Sequence, residues 1–463
     1  MGDLDQVLEK SHRARLFPVL AETSKEGRAT SIYLACLASV NEFGRVMLAS
    51  LGQRVGSRAQ IAAYTEVAFP MGKGEKAARP DGLVVLRVGA RRWTALVEAK
   101  VGNADLSVAQ VELYCEVARR YGIDAVVTLS NEFASLPAHH PLEISAAARK
   151  KVEVYHWSWM NVLTQATLLI DGAGVEDADQ AFILAELVRF LTHPSTGVKG
   201  FDRMPAPWPD LVAKAQAGAP MSPASEAVRE VVGAWHQEVR DLCLILSRQL
   251  TTEVDPHLPR AQRADAEARL RADAERLCAE HCLGASLRVP DAAAPIEIRA
   301  DLRARAIVVS MKVRAPEDRK SNKARLGWLL RQVEASDPAG IHVRLHYIGR
   351  APSRQASLAE ARTDAEELAG GRDAPELVSM EILLVSDLAA KFAQRNKFIS
   401  ELEAAVPSFY ERVGQHLKGW QPRPPRLRED RTEPESVSVE ALAEESEEEA
   451  SATQNVWFVP EPE

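Results

Sequence analysis

Arg79-Pro80-Asp81-Gly82, Leu83-Val84-Val85-Leu86-Arg87-Val88, Gly89-Ala90, Arg91-Arg92-Trp93-Thr94-Ala95-Leu96-Val97-Glu98-Ala99-Lys100 is the stretch around which the rest of the chain is read. Two runs rich in branched apolar residues flank Gly89-Ala90, and glycine at the first central position suits a two-residue hairpin turn. With that turn Val88 pairs with Arg91, and counting outward along both strands brings Asp81 opposite Glu98, seventeen positions further on. Residues facing each other across an antiparallel pair have Cβ atoms about 5 Å apart. At that spacing two carboxylates can share one divalent cation. Strand alternation puts Lys100 on the face of Glu98 and turns the Ala99 side chain away, which leaves the Ala99 carbonyl free to point at the same cation.

Outward from the hairpin, helical periodicity runs over residues 29–51 through Ile32, Cys36, Val40, Val46, Leu48 and Leu51, with Gly52 closing it. A strand is expected over 61–69, and a helix over 106–121 with Val108, Val111, Cys115 and Ala118 as its apolar stripe. Residues 124–129 read as a covered strand, 152–157 as another, and 181–191 as a closing helix. The order of elements predicts a mixed α/β core over residues 1–204.

Residues 205–223 are rich in Pro, Ala and Gly and read as a linker. Beyond it Val228, Val232, Trp235, Val239, Leu242, Leu246 and Gln249 recur at steps of four and three, a seam over 228–249 suited to a helical hairpin or a homodimer. Pro259 is placed to start a second helix, with Leu270, Ala274 and Leu277 packing back and Gly284 ending it. Strands at 296–302, 306–313, 341–347 and 380–385, with helices near 323–333 and through Tyr410 and His416, make an α+β second domain over 224–421.

The net charge of −8 is uneven, because residues 429–463 carry twelve acidic side chains against one base, Arg431. The remainder is therefore slightly basic, which is compatible with a nucleic-acid partner. Residues 422–463 are Pro-rich and then acidic, a composition that cannot bury enough apolar surface to fold. The chain begins on Met1-Gly2-Asp3-Leu4-Asp5 and has no run of eighteen apolar residues, so a cytoplasmic protein without a membrane partner is expected. Its five cysteines are scattered and are read as buried thiols.

Pro80-Asp81 and Glu98-Ala99-Lys100 at this separation resemble the PD-(D/E)xK nuclease superfamily, and Gln110 and Tyr114 match the QxxxY element of its exonuclease-like branch. The resemblance spans about residues 20–160 and leaves out the second domain. It implies a restriction-endonuclease-like mixed-sheet core and metal-dependent hydrolysis of phosphodiester bonds, with DNA as the expected substrate. In that pattern Asp81, Glu98 and the Ala99 carbonyl hold Mg²⁺, with Mn²⁺ as an alternative, and Lys100 orients or activates the attacking water. The superfamily often adds an acidic residue from the first helix; Glu26, Glu42 and Glu66 are all candidates, and Glu26 has the most suitable position, just ahead of Thr30-Ser31.

Gln110 and Tyr114, on one helix face, are expected to reach a base or phosphate. Lys73, Lys76 and Arg79 approach Asp81 through a Gly-bearing loop as phosphate contacts. Lys312, Arg314, Arg319, Lys320, Lys323, Arg325 and Arg331 form a second basic run, interrupted by acids, that reads equally as a phosphate-tracking surface or a salt-bridged face. His139, His140 and His156 receive no role. The competing function is a nuclease fold without turnover that binds nucleic acid or protein, in stress response or phage defence.

Overall fold

The computed structural model describes residues 3–20, 24–71, 76–371 and 374–421. Lys73 and the acidic segment lie outside the described residues.

The N-terminal half runs α1 (Leu4–Glu9), β1 (His12–Arg13), α2 (Lys25–Ser39), α3 (Asn41–Ala49), β2 (Gln60–Thr65), β3 (Gly82–Val88), β4 (Arg91–Ala99), α4 (Val108–Tyr121), β5 (Ala125–Ser130), β6 (Glu153–Ser158), α5 (Trp159–Asp171) and α6 (Ala178–Thr192). Its six strands form one sheet in the order β1-β2-β3-β4-β5-β6. The first four are antiparallel and β4, β5 and β6 are parallel, so the sheet is mixed. The hairpin has the expected register: Gly89 takes φ 59°, the conformation glycine adopts without a Cβ clash, and Val88 pairs with Arg91.

Both faces of this sheet are covered. Leu83, Val85, Leu96 and Val126 pack with α4, whereas Val84, Ala95, Val97, Ala99 and Val127 pack with α2, α3, α5 and α6. That explains why residues 83–86 of β3 and 125–127 of β5 are apolar at successive positions, with every one of them buried.

The single helix expected over 29–51 is two helices meeting at 103°. No proline or glycine makes the break. Val40 is extended, with φ −102° and ψ 106°, and Gln180 of α6 accepts from the freed Asn41 N–H at 2.8 Å. A tertiary partner therefore satisfies the backbone group that the bend exposes. Among the described residues no single helix is long and apolar enough to cross a membrane.

The C-terminal half runs α7 (Trp208–Gln216), α8 (Glu226–Leu250), β7 (Asp255–Pro256), α9 (Arg260–Ala264), α10 (Ala266–Glu280), β8 (Cys282–Arg288), β9 (Ile296–Asp301), β10 (Ala306–Arg314), α11 (Asn322–Gln332), β11 (Ile341–Tyr347), β12 (Arg354–Ser357), α12 (Leu358–Thr363), α13 (Ala365–Ala369), β13 (Leu377–Asp387) and α14 (Arg395–Arg412). Its sheet is antiparallel throughout, in the order β12-β11-β13-β10-β9-β8-β7.

Three expectations are corrected here. The stretch 205–223 is not a bare linker: α7 occupies its middle, with Trp208 buried against Phe392 and Phe398 and its indole N–H on the Phe392 carbonyl at 2.9 Å. The seam of α8 is not free to dimerise either, since Val228, Val232, Trp235, Val239, Leu242 and Leu246 are all buried in the chain's own core. Gly284, expected to end a helix, lies in β8, and α10 stops earlier, at Glu280.

Candidate metal centre

The ladder between β3 and β4 ends at Gly82 opposite Val97, so the next position outward sets Asp81 against Glu98. Asp81 is tied to the other strand by its own side chain, whose Oδ2 accepts the Ala99 N–H at 2.8 Å. Gly82 allows this close approach: a Cβ there would stand 2.4 Å from Leu34 Cδ1 of α2 and 3.1 Å from the Tyr64 carbonyl of β2. Glu98 points to the α4 face and is 2% exposed.

The third carboxylate comes from the first turn of α2. Ligand oxygens of Glu26, Asp81 and Glu98 all lie within 4.8 Å of one another, and among the described residues no other group of three His, Cys, Asp or Glu side chains does so. Of the three acids the sequence offers, Glu26 is the one that lies with Asp81 and Glu98. Glu42 instead lies 3.9 Å from Arg45, and Glu66 faces His12 across the sheet edge.

Lys100 closes the cluster. Its Nζ donates to Glu98 Oε1 at 2.5 Å, to Glu26 Oε1 at 3.1 Å and to the Ala99 carbonyl at 3.2 Å. Its backbone is fixed from both sides, by its own N–H on the Leu129 carbonyl at 2.8 Å and by the Trp159 indole N–H on its carbonyl at 2.8 Å. Trp159 begins a helix that sequence periodicity did not reveal, so its role left no signal in the spacing.

Gln110 and Tyr114 are brought to the site, where their side chains hydrogen-bond within the protein. The Gln110 amide donates to Glu98 Oε1 at 2.7 Å and to the Tyr114 hydroxyl at 3.1 Å, and that hydroxyl donates to the Arg79 carbonyl at 3.1 Å. Both residues therefore brace the loop and strand that carry Asp81 and Glu98. The helix that carries them is defined at both ends, with Ser107 as N-cap and Gly122 left-handed at φ 68° as C-cap. Val108, expected in its buried stripe, is 38% exposed.

The electrostatics are those of a crowded anionic site. Burial, then the Glu98 carboxylate, push the Asp81 carboxyl up to about 7, and the Ala99 N–H only partly offsets them. Burial works against the Lys100 ammonium, but the hydrogen bonds and charges of Glu98 and Glu26 outweigh it and hold Lys100 above the usual lysine range. One ammonium faces three carboxylates, and the buried Glu98 Oε2 has no hydrogen-bond partner at all. An orphaned carboxylate oxygen is costly unless a cation takes it. The donors are all hard oxygens, which fits Mg²⁺ or Mn²⁺.

Lys76 and Arg79 are exposed beside Asp81. The second basic run is largely paired: Arg314 with Glu317, Arg319 with Asp318, Lys323 with Glu366 and Arg325 with Glu376. That favours the salt-bridged face over the phosphate track. His140 and His156 both lie on the Thr128 hydroxyl, at 2.9 and 2.8 Å, and Thr128 is the residue of β5 that pairs with Glu98.

Comparison of the chain with family models, with curated proteins and with solved structures found no match.

Proposed function

We propose that the chain is a metal-dependent phosphodiesterase acting on nucleic acid, DNA foremost, with a sheet core of the restriction-endonuclease type. The observation that carries this reading is the convergence of Glu26, Asp81, Glu98, the Ala99 carbonyl and Lys100 on one small volume.

A divalent cation held by these oxygens supplies neutralisation of charge on the phosphoryl oxygens and acidification of a water. Gln110 helps fix Glu98 by its hydrogen bond to Oε1, and leaves Oε2 without a protein partner. Tyr114, through the Arg79 carbonyl, holds the peptide that presents Asp81. Lys100, held above the usual lysine range by Glu98 and Glu26, offers charge and hydrogen bonds to the site. With a cation on the carboxylates, the Lys100 ammonium would be available to stabilise charge on the reacting phosphate. Lys76 and Arg79, exposed on the segment that leads to Asp81, are offered as contacts for the flanking phosphates.

The test is incubation of the purified chain with circular, linear and single-stranded DNA, in Mg²⁺ or in chelator. Cleavage in Mg²⁺ that chelator abolishes, and that Glu98→Gln lowers by about a hundredfold or more, is expected. Intact DNA in every lane, or cleavage indifferent to chelator, contradicts the proposal and leaves a fold that binds without turnover.

A further inference from the structure

The segment from His12 to Leu20 is an extended arm that begins on the edge of the first sheet and ends beside the metal centre. Its start is paired with β2, His12 opposite Thr65 and Arg13 opposite Tyr64, and Ala14 donates to the Ala63 carbonyl at 3.0 Å. It then crosses to α2, where the Ser31 hydroxyl accepts the Arg15 N–H at 3.0 Å and donates to the Arg15 carbonyl at 2.9 Å. Leu20 reaches the first turn of α2, its Cδ1 being 3.3 Å from where a Cβ on Gly27 would stand. Gly27 directly follows Glu26.

Along this arm the side chains alternate. Ala14 and Leu16 pack against the core, and Pro18 and Leu20 are half-buried. Arg13, Arg15, Phe17 and Val19 are exposed, Phe17 at 89% and Val19 at 96%. The Arg13 guanidinium is braced over the Tyr64 ring at 4.6 Å.

Single exposed apolar side chains are ordinary. Two of them alternating with two arginines, on a segment tethered at Arg13, Ala14 and Arg15 that leads to the carboxylate cluster, is a more particular pattern. Guanidinium groups suit phosphate oxygens, and an exposed aromatic ring offers a stacking platform to any base whose face is free. A duplex hides those faces inside its own stack, whereas an unpaired strand presents them.

We propose that Arg13, Arg15 and Phe17 form a track for an unpaired nucleic-acid strand, with the arginines on phosphates and the Phe17 ring on a base, leading the strand toward Glu26 and its partners. The proposal rests on reading the metal centre as a phosphodiesterase site, and it names that site's substrate as single-stranded or frayed.

The test uses the full-length chain in chelator, so that binding is read without turnover, with a fluorescein-labelled oligothymidylate and a blunt duplex of equal length as probes. Phe17→Ala is expected to weaken oligothymidylate binding by about five- to a hundredfold while the duplex is unaffected, and Phe17→Trp to restore it. Arg13→Ala and Arg15→Ala should each lower the salt dependence by roughly 0.7 in log–log slope, the value for one phosphate contact on a single strand. Oligothymidylate affinity unchanged in Phe17→Ala, equal loss on the duplex, or a wild type that does not bind the oligonucleotide would each overturn the track. Loss of single-strand binding in Phe17→Ala with no cleavage by wild type in Mg²⁺ upholds the track and removes the phosphodiesterase reading, so the two failures are separable.

Discussion

At the residue scale, the ammonium of Lys100 rests on three of the oxygens assigned to a metal: Glu26 Oε1, Glu98 Oε1 and the Ala99 carbonyl. A lysine in that place is an internal cation that a divalent ion must displace. Removing it has two opposite effects. Lys100→Met should tighten Mn²⁺ binding by about ten- to a hundredfold, the worth of one or two charge-assisted hydrogen bonds no longer given up. The same change should slow cleavage by about a hundred- to a thousandfold, because a positive group beside the reacting phosphate is lost. Titration with Mn²⁺ beside a cleavage assay checks both, and weaker Mn²⁺ binding in the variant would contradict the displacement. The sequence places Lys100 on the face of Glu98 through strand alternation alone. It does not show the contact with Glu26, which depends on how α2 lies against the sheet edge.

At the scale of elements, the hairpin was readable because a two-residue turn and a period of two leave a single register. The break between α2 and α3 was not, because no local residue forces it and the partner that satisfies it, Gln180, is distant in sequence. Proline-rich composition concealed α7 for a related reason: prolines at a helix start cost nothing, and the Trp208 anchor is a tertiary fact. For α8, periodicity showed that a face is buried and not what buries it. That helix also carries Glu238 and Asp241 into the interior, both carboxyls raised by burial, Asp241 to about 6. Asp241 accepts the Phe201 N–H at 2.6 Å, which an asparagine can also do. The folded protein holds the Asp241 proton up to about pH 6, while the unfolded chain releases it near 3.8. Its contribution to stability is therefore complete below about pH 4 and fades as pH rises through 6. Asp241→Asn mimics the protonated form, so its stability relative to wild type should climb between pH 4 and 6 by about 2 to 3 kcal/mol and then level off. Urea midpoints across that range read the effect, and a gap independent of pH would contradict it.

At the scale of the molecule, the sheets have separate cores, yet the two halves are fastened by polar contacts at several points: Arg240 to Asn161, Arg248 to Thr164, Arg269 to Ser135 and the Phe133 N–H to Gln237. With α7 buried between Met204 and α8 in the second core, brief trypsin treatment of the native protein should leave the bond after Lys214 intact. Two stable fragments meeting at Lys214 would show instead that this stretch behaves as an open linker. The arrangement gives the carboxylate cluster a rigid setting, and the central claim is that this cluster is a divalent-metal site. Calorimetric titration of wild type and Asp81→Asn with Mn²⁺ tests that most directly. The wild type should bind one ion per chain with displacement of protons held in the cluster, since the Asp81 carboxyl is pushed up to about 7. The variant, folded and lacking one anionic ligand, should lose that binding. Equal Mn²⁺ affinity in the two proteins would contradict the account.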